Sequence, residues 1–155
     1  MLRILSIFFY IIGGIYFLIF GIYIILFSIL LGHEKLYPTL PLLTRLQLLF
    51  FGVRVKVKNK IPKTGQYIIM MNHTSFADVF FPIQILRGKY TAILASWNFK
   101  IPIWRTMLKQ FKAIPVYRKD RSKAIKSIKH AEHTIKNLGY HIVIFPEGTR
   151  TTTGK

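Results

Sequence analysis

The chain contains no cysteine, which excludes disulfides, thiolate metal sites and a cysteine nucleophile. Carboxylates are nearly as scarce: Glu34, Asp78, Asp120, Glu132 and Glu147 are the only 5, against 23 lysines and arginines, for a formal net charge of +18. That balance predicts attraction to a polyanion, whether nucleic acid, an anionic bilayer or a phosphorylated substrate, and charge alone does not choose among them. Internal repeats, low-complexity tracts and a flexible Gly/Ser linker are also missing. With 155 residues, 52% apolar and 15% aromatic, the chain has material for one compact domain with a core and is not a disordered tail.

The excess lies at the N-terminus. No charged residue occurs from Ile4 to Gly32, and at a helical rise of about 1.5 Å per residue this run exceeds the roughly 30 Å hydrocarbon thickness of a bilayer. A secretory signal would have a shorter apolar region ending in a small-residue cleavage site, and soluble cores rarely hold so long an uncharged run. The segment therefore reads as a membrane helix, in which Gly13, Gly14 and Gly21 mark a bend or a close helix contact. Arg3 and the amino terminus on one side balance Lys35 and Arg45 on the other, so the positive-inside count sets no orientation. Residues 36–51 are apolar again but broken by Pro38 and Pro41, which fits an interfacial or re-entrant helix. Residues 1–51 are thus expected to anchor the chain, and residues 52–155 to form a domain.

In that domain the period changes. Residues 53–57 alternate strictly, as a half-exposed strand does, and residues 59–66 supply Pro62 and Gly65 for a turn. Residues 67–71 form a short continuous apolar run, predicting a strand buried on both faces. A helix is expected over 75–86, strained at Pro82, then a strand over 91–95, a short helix over 102–111 and a strand over 113–117. Over 122–138 the residues Ala124, Ile125, Ile128, Ala131, Ile135 and Leu138 follow helical spacing, with Gly139 placed as a C-terminal cap. A buried strand over 140–145 ends the series. The alternation predicts an α/β fold with a mixed or largely parallel sheet and flanking helices. Ligands in such sheets sit beyond the carboxyl ends of the strands. Two motifs fall there: Asn72-His73-Thr74-Ser75-Phe76-Ala77-Asp78 and Phe145-Pro146-Glu147-Gly148-Thr149-Arg150.

On one continuous helix His73 and Asp78 would lie about 140° apart, so His73 is expected just before the helix. With Ser75 as N-cap, Ser75-x-x-Asp78 reads as a capping box. A catalytic reading is compatible with it: a first-turn carboxylate reaching back to the imidazole fixes its tautomer and stabilises the imidazolium formed when the other nitrogen takes a proton from a hydroxyl. In the second motif Gly148 allows a tight turn and Arg150 offers a bidentate fork for phosphate; the alternative is an exposed turn with a Glu147–Arg150 ion pair. Arg118 stands at another expected strand end. The basic helix over 122–138 is either a solvated face or a surface for anionic headgroups, and His130 with His133 lacks a third metal ligand.

Together with Ile114-Pro115-Val116-Tyr117-Arg118, these motifs resemble, in order and spacing, the glycerolipid acyltransferase family that includes 1-acyl-glycerol-3-phosphate acyltransferases. The resemblance covers about residues 67–150. It implies that His73 is the general base, Asp78 its orienting partner, and that Arg118, Glu147, Gly148, Thr149 and Arg150 shape a phosphate-bearing acceptor site, with Asn72 and Ser75 also binding substrate. It further implies an enzyme at the membrane, on its cytoplasmic face. The implied acceptor is lysophosphatidic acid, with acyl-CoA or acyl-carrier protein as co-substrate, no cofactor, no metal and no nucleic-acid partner. Glycerol-3-phosphate or another lysophospholipid as acceptor, and a non-catalytic basic membrane-surface or nucleic-acid-binding module, are the alternatives. A further proline-containing motif follows in the family, so the chain reads as a C-terminally incomplete domain.

Overall fold

The computed structural model describes residues 2–59, 61, 62 and 64–150. Strands β1 (Ile68–Met70), β2 (Tyr90–Ala95), β3 (Ile114–Val116) and β4 (His141–Ile144) form a sheet of order β1-β4-β2-β3 in which every neighbouring pair is parallel. Helices α1 (Leu2–Leu31), α2 (Leu40–Phe50), α3 (Phe81–Ile85), α4 (Pro102–Gln110) and α5 (Arg121–Leu138) surround it.

α1 runs as one continuous helix, and Gly13 and Gly21 mark close contacts while Gly14 faces open space. A Cβ on Gly13 would stand 2.9 Å from the Phe51 ring, and one on Gly21 3.1 Å from the Met107 sulfur. Gln47 Nε2 donates to the Gly13 carbonyl at 3.0 Å, holding α2 against α1. At the far end of α1, His33 Nε2 and the Tyr140 hydroxyl hydrogen-bond at 3.0 Å, and the Tyr37 hydroxyl donates to the Tyr90 carbonyl at 2.9 Å. Phe20, Ile24, Leu36, Leu40 and Leu48 consequently share one apolar core with Phe80, Leu86, Tyr90 and Val143. The opposite side of α1 is bare: Phe8, Tyr10, Leu18, Ile29 and Leu30 are each more than half exposed. Residues 5–31 are long and apolar enough to cross a membrane, with a mean hydropathy of 2.6.

Three expectations are corrected. Residues 53–57 pair with no strand: Val53 N–H closes onto Leu48 at the end of α2, and the sheet ends instead at β1 and β3. The valines and cations of this segment instead line a groove together with α2. β1 is not buried on both faces, because it is an edge strand whose Ile68 and Met70 are 57% and 68% exposed. α5 forms as expected from an Asp120 N-cap to Gly139, which adopts φ 69. Its core face carries Ser127, Ala131 and Thr134 with the expected Ile135 and Leu138 packed beside them, whereas Ile125 and Ile128 are exposed. Small residues let α5 lie close to the sheet, and Ser127 Oγ donates to the Pro115 carbonyl at 2.6 Å.

The helix expected over 75–86 is divided into a 3-10 turn, Phe76–Val79, and α3, with Pro82 in the first turn of α3 where its missing N–H costs nothing. Lys60 and Lys63 of the turn expected over 59–66 lie outside the described residues.

Ile142 is 1% exposed at the centre of the sheet. Truncation to alanine is expected to lower unfolding stability by about 2–5 kcal/mol. Ile128→Ala should cost less than about 0.5 kcal/mol. Denaturant titration of both variants in detergent checks the pair, and equal costs would contradict the observed face of α5.

Candidate active site

Because all strands are parallel, their carboxyl ends share one edge of the sheet, and β1 lies beside β4. The chain leaving β1 carries His73; the chain leaving β4 carries Glu147. The His73 backbone N–H donates to Glu147 Oε1 at 3.4 Å, joining the two motifs, and the His73 ring stacks on Phe145 with centroids 4.5 Å apart.

His73 precedes the helical turn, with Ser75 as its N-cap. Asp78 Oδ2 accepts from His73 Nδ1 at 3.0 Å, from Thr74 N–H at 2.6 Å and from Ser75 N–H at 2.8 Å. Ser75 Oγ accepts from Ala77 N–H at 3.1 Å, and the capping box is complete. The cap and the imidazole contact thus coexist on one carboxylate. Asp78 is nearly buried, its side chain 5% exposed, whereas that of His73 is 20% exposed. A buried carboxylate needs such donors, and three of them on one oxygen hold the charge in place. With Nδ1 donating to Asp78, a neutral imidazole keeps Nε2 unprotonated and available as a base.

The turn after β4 has a strict requirement for glycine. Gly148 has φ 66, and the Arg118 guanidinium occupies the space where a Cβ would stand. Arg118 donates to the Gly148 carbonyl, so it braces the turn from the end of β3. Gly148 N–H is itself committed to the Phe145 carbonyl at 3.0 Å. The N–H groups of Thr149 and Arg150 have no acceptor among the described residues. Glu147 and Arg150 form no ion pair with each other, and Asn72, Thr149 and Arg150 are exposed at this edge.

Sequence reasoning missed an apolar cavity of about 120 Å³ walled by α1, α3, α4, β2 and β4. Phe17, Phe20 and Ile24 of α1 line it, with Val79, Trp104, Met107 and Val143. Phe145 also lines it, so one ring belongs both to the cavity and to the stack on His73. The helical spacing of Phe17, Phe20 and Ile24 was the available signal.

Comparison with known proteins gives this geometry a class. Residues 52–155 match the model of the Acyltransferase family, and the chain belongs to that family. Among curated proteins it is similar to the 1-acyl-sn-glycerol-3-phosphate acyltransferase of Limnanthes douglasii, 31% identical over 68% of this chain and 37% of that protein. The enzyme of the same name from Cocos nucifera is 29% identical over 72% of this chain and 36% of its own length. Lysophosphatidylcholine acyltransferase 1 of Danio rerio is 28% identical over 66% of this chain and 20% of its own. The chain therefore spans about a fifth to just over a third of these relatives. The crystal structure of the 1-acyl-sn-glycerophosphate acyltransferase PlsC from Thermotoga maritima shares the fold, with a TM-score of 0.76 and 22% identity over 99% of this chain and 63% of that one.

Replacing Asp78 by Asn exchanges a pure acceptor for a side chain with only one accepting atom. The Nδ1–H tautomer of His73 is expected to dominate in the parent protein and to lose that dominance in Asp78→Asn. Nitrogen-15 NMR of the imidazole reads the tautomer directly, and an unchanged spectrum would remove Asp78 from this role.

Proposed function

We propose that the chain is the catalytic part of a membrane-associated O-acyltransferase. It moves a fatty acyl group from a thioester, acyl-CoA or acyl-carrier protein, to the free hydroxyl of 1-acyl-glycerol-3-phosphate. The observation that carries this reading is the 3.0 Å contact between His73 Nδ1 and the buried Asp78, just beyond β1 and beside Glu147 of the Glu147-Gly148-Thr149-Arg150 turn. The names of the relatives support the acceptor class, and the exposed apolar face of α1 supports work at a bilayer.

In this reaction His73 Nε2 takes the proton of the acceptor hydroxyl as its oxygen attacks the thioester carbonyl. The tetrahedral oxyanion is stabilised by backbone N–H groups, for which those of Thr149 and Arg150, without an acceptor among the described residues, are placed at the turn. Collapse breaks the carbon–sulfur bond, and the leaving thiolate recovers the proton from the imidazolium, giving phosphatidic acid and the free thiol. Asp78 stabilises the positive ring between the two transfers. Arg150 and the donors of Arg118 not engaged by Gly148 grip the acceptor phosphate. Asn72 and Thr149 are polar contacts at the rim, while Ser75 acts through the cap that holds Asp78. The fatty chain of the donor occupies the apolar cavity, which reaches His73 through Phe145. A lysophospholipid without a phosphate monoester is the second acceptor reading, favoured by the likeness to lysophosphatidylcholine acyltransferase 1; competition between the two acceptors separates them.

His73→Ala is expected to reduce acyl transfer by about 10²–10⁴-fold while flotation with vesicles stays intact; near-normal turnover of a labelled thioester would defeat the mechanism. Ala92 lines the cavity, and Ala92→Leu adds three carbons and removes room for about three methylenes. The ratio of kcat/KM for long over short acyl donors should fall by about ten-fold, and an unchanged ratio would place the chain elsewhere.

A further inference from the structure

All five carboxylates of the chain are engaged away from one basic groove. Glu34 pairs with Lys89 at 3.3 Å, Asp120 with Lys123 at 3.1 Å and Glu132 with Lys136 at 2.7 Å. Asp78 holds His73, and Glu147 accepts from the His73 backbone. The groove, of about 610 Å³, lies between α2 and residues 53–57, and Arg45, Arg54 and Lys56 line it together with Leu49, Val55 and Val57. None of these three cations has a counter-ion among the described residues. The backbone of residues 54–59 makes no hydrogen bond to described residues either.

Like charges gathered in one concavity raise one another's energy, and an external anion relieves them. Free phosphate would satisfy the cations and leave the leucine and valines bare, whereas a phospholipid matches both. Location agrees: α2 forms one wall, and Gln47 and Phe51 fasten that helix to Gly13 of α1, whose other side is the exposed apolar face. Lysine and arginine stems lie along apolar surface while their heads meet phosphate.

We propose that this groove holds the headgroup of an anionic phospholipid, as a second lipid that does not react. The phosphate sits on Arg45, Arg54 and Lys56, and the first acyl carbons lie against Leu49, Val55 and Val57. The site is separate from His73. It rests on the membrane association proposed above but on no step of acyl transfer, so binding and turnover are read independently.

The test uses the full chain with vesicles of phosphatidylcholine, alone or containing phosphatidylglycerol. The triple variant Arg45→Gln, Arg54→Gln, Lys56→Gln is compared with an equally discharged control on α5, Arg121→Gln, Lys126→Gln, Lys129→Gln. The groove variant is expected to lose at least about ten-fold of the preference for phosphatidylglycerol, from a contribution on the order of five-fold per near-surface cation. The α5 control should lose less than about half as much on a logarithmic scale, and the charge-conserving Arg45→Lys, Arg54→Lys, Lys56→Arg should restore the preference. A headgroup-proximal photocrosslinking phosphatidylglycerol should label peptides containing residues 45–57. Equal losses in both triple variants, labelling confined to other peptides, or displacement by inorganic phosphate at constant ionic strength would each overturn the proposal. Acyl transfer on neutral micelles should persist in the groove variant, whereas it is lost in His73→Ala.

Discussion

The site depends on the parallel pairing of β1 with β4. Ile68 pairs with Ile142, Ile69 with Val143 and Met70 with Ile144, and the ladder continues in the bond from Met71 N–H to the Ile144 carbonyl at 3.2 Å. His73 and Glu147 then leave the two strands at equal offsets from the last pair, which is why a backbone N–H and a carboxylate 74 residues apart meet. A slip of one residue would turn Val143 out of the core and part the motifs together. Only three residue pairs hold this register, and β1 is an edge strand. The packing of Tyr140, Ile142 and Val143, all nearly inaccessible, keeps β4 in place for it.

In the proposed reaction Asp78 joins folding and chemistry on a single oxygen. The same Oδ2 that orients His73 also accepts two backbone N–H groups at the start of the 3-10 turn. In a chain with so many cations an exposed carboxylate would have many partners. Burial restricts Asp78 to the donors its own turn presents, so its geometry is set locally. An anion fixed before substrate arrives needs no reorganisation when positive charge develops on the ring, which is the general advantage of preorganised electrostatics.

Much of this arrangement was legible in the sequence because it is written in local spacing. The capping box, the position of His73 outside the turn, the α/β alternation and the Gly139 cap are all short-range rules. What was not legible depends on partners distant in the chain. Residues 53–57 carry the alternation of a strand, yet a strand needs a neighbour, and neither edge of the sheet, β1 or β3, pairs with them. Ile125 and Ile128 fit the helical stripe of α5, yet Ser127 takes the inner position because its hydroxyl finds the Pro115 carbonyl. The apolar run over 67–71 did not announce that β1 would be an edge.

α1 was the element whose composition said most about environment and least about role. An apolar helix facing only lipid has no need for Phe17, Phe20 and Ile24 to match anything, but here those residues wall the cavity that ends at the Phe145–His73 stack. The same helix offers a bare face on its other side. For the proposed reaction this matters energetically, since each methylene withdrawn from an apolar phase into water costs about 0.8 kcal/mol. A donor chain passing between bilayer and cavity along the flank of α1 avoids most of that exposure. In the proposed function anchoring and catalysis are two faces of one helix, and exchanging α1 for an unrelated apolar helix is then expected to preserve membrane association while dismantling the cavity wall.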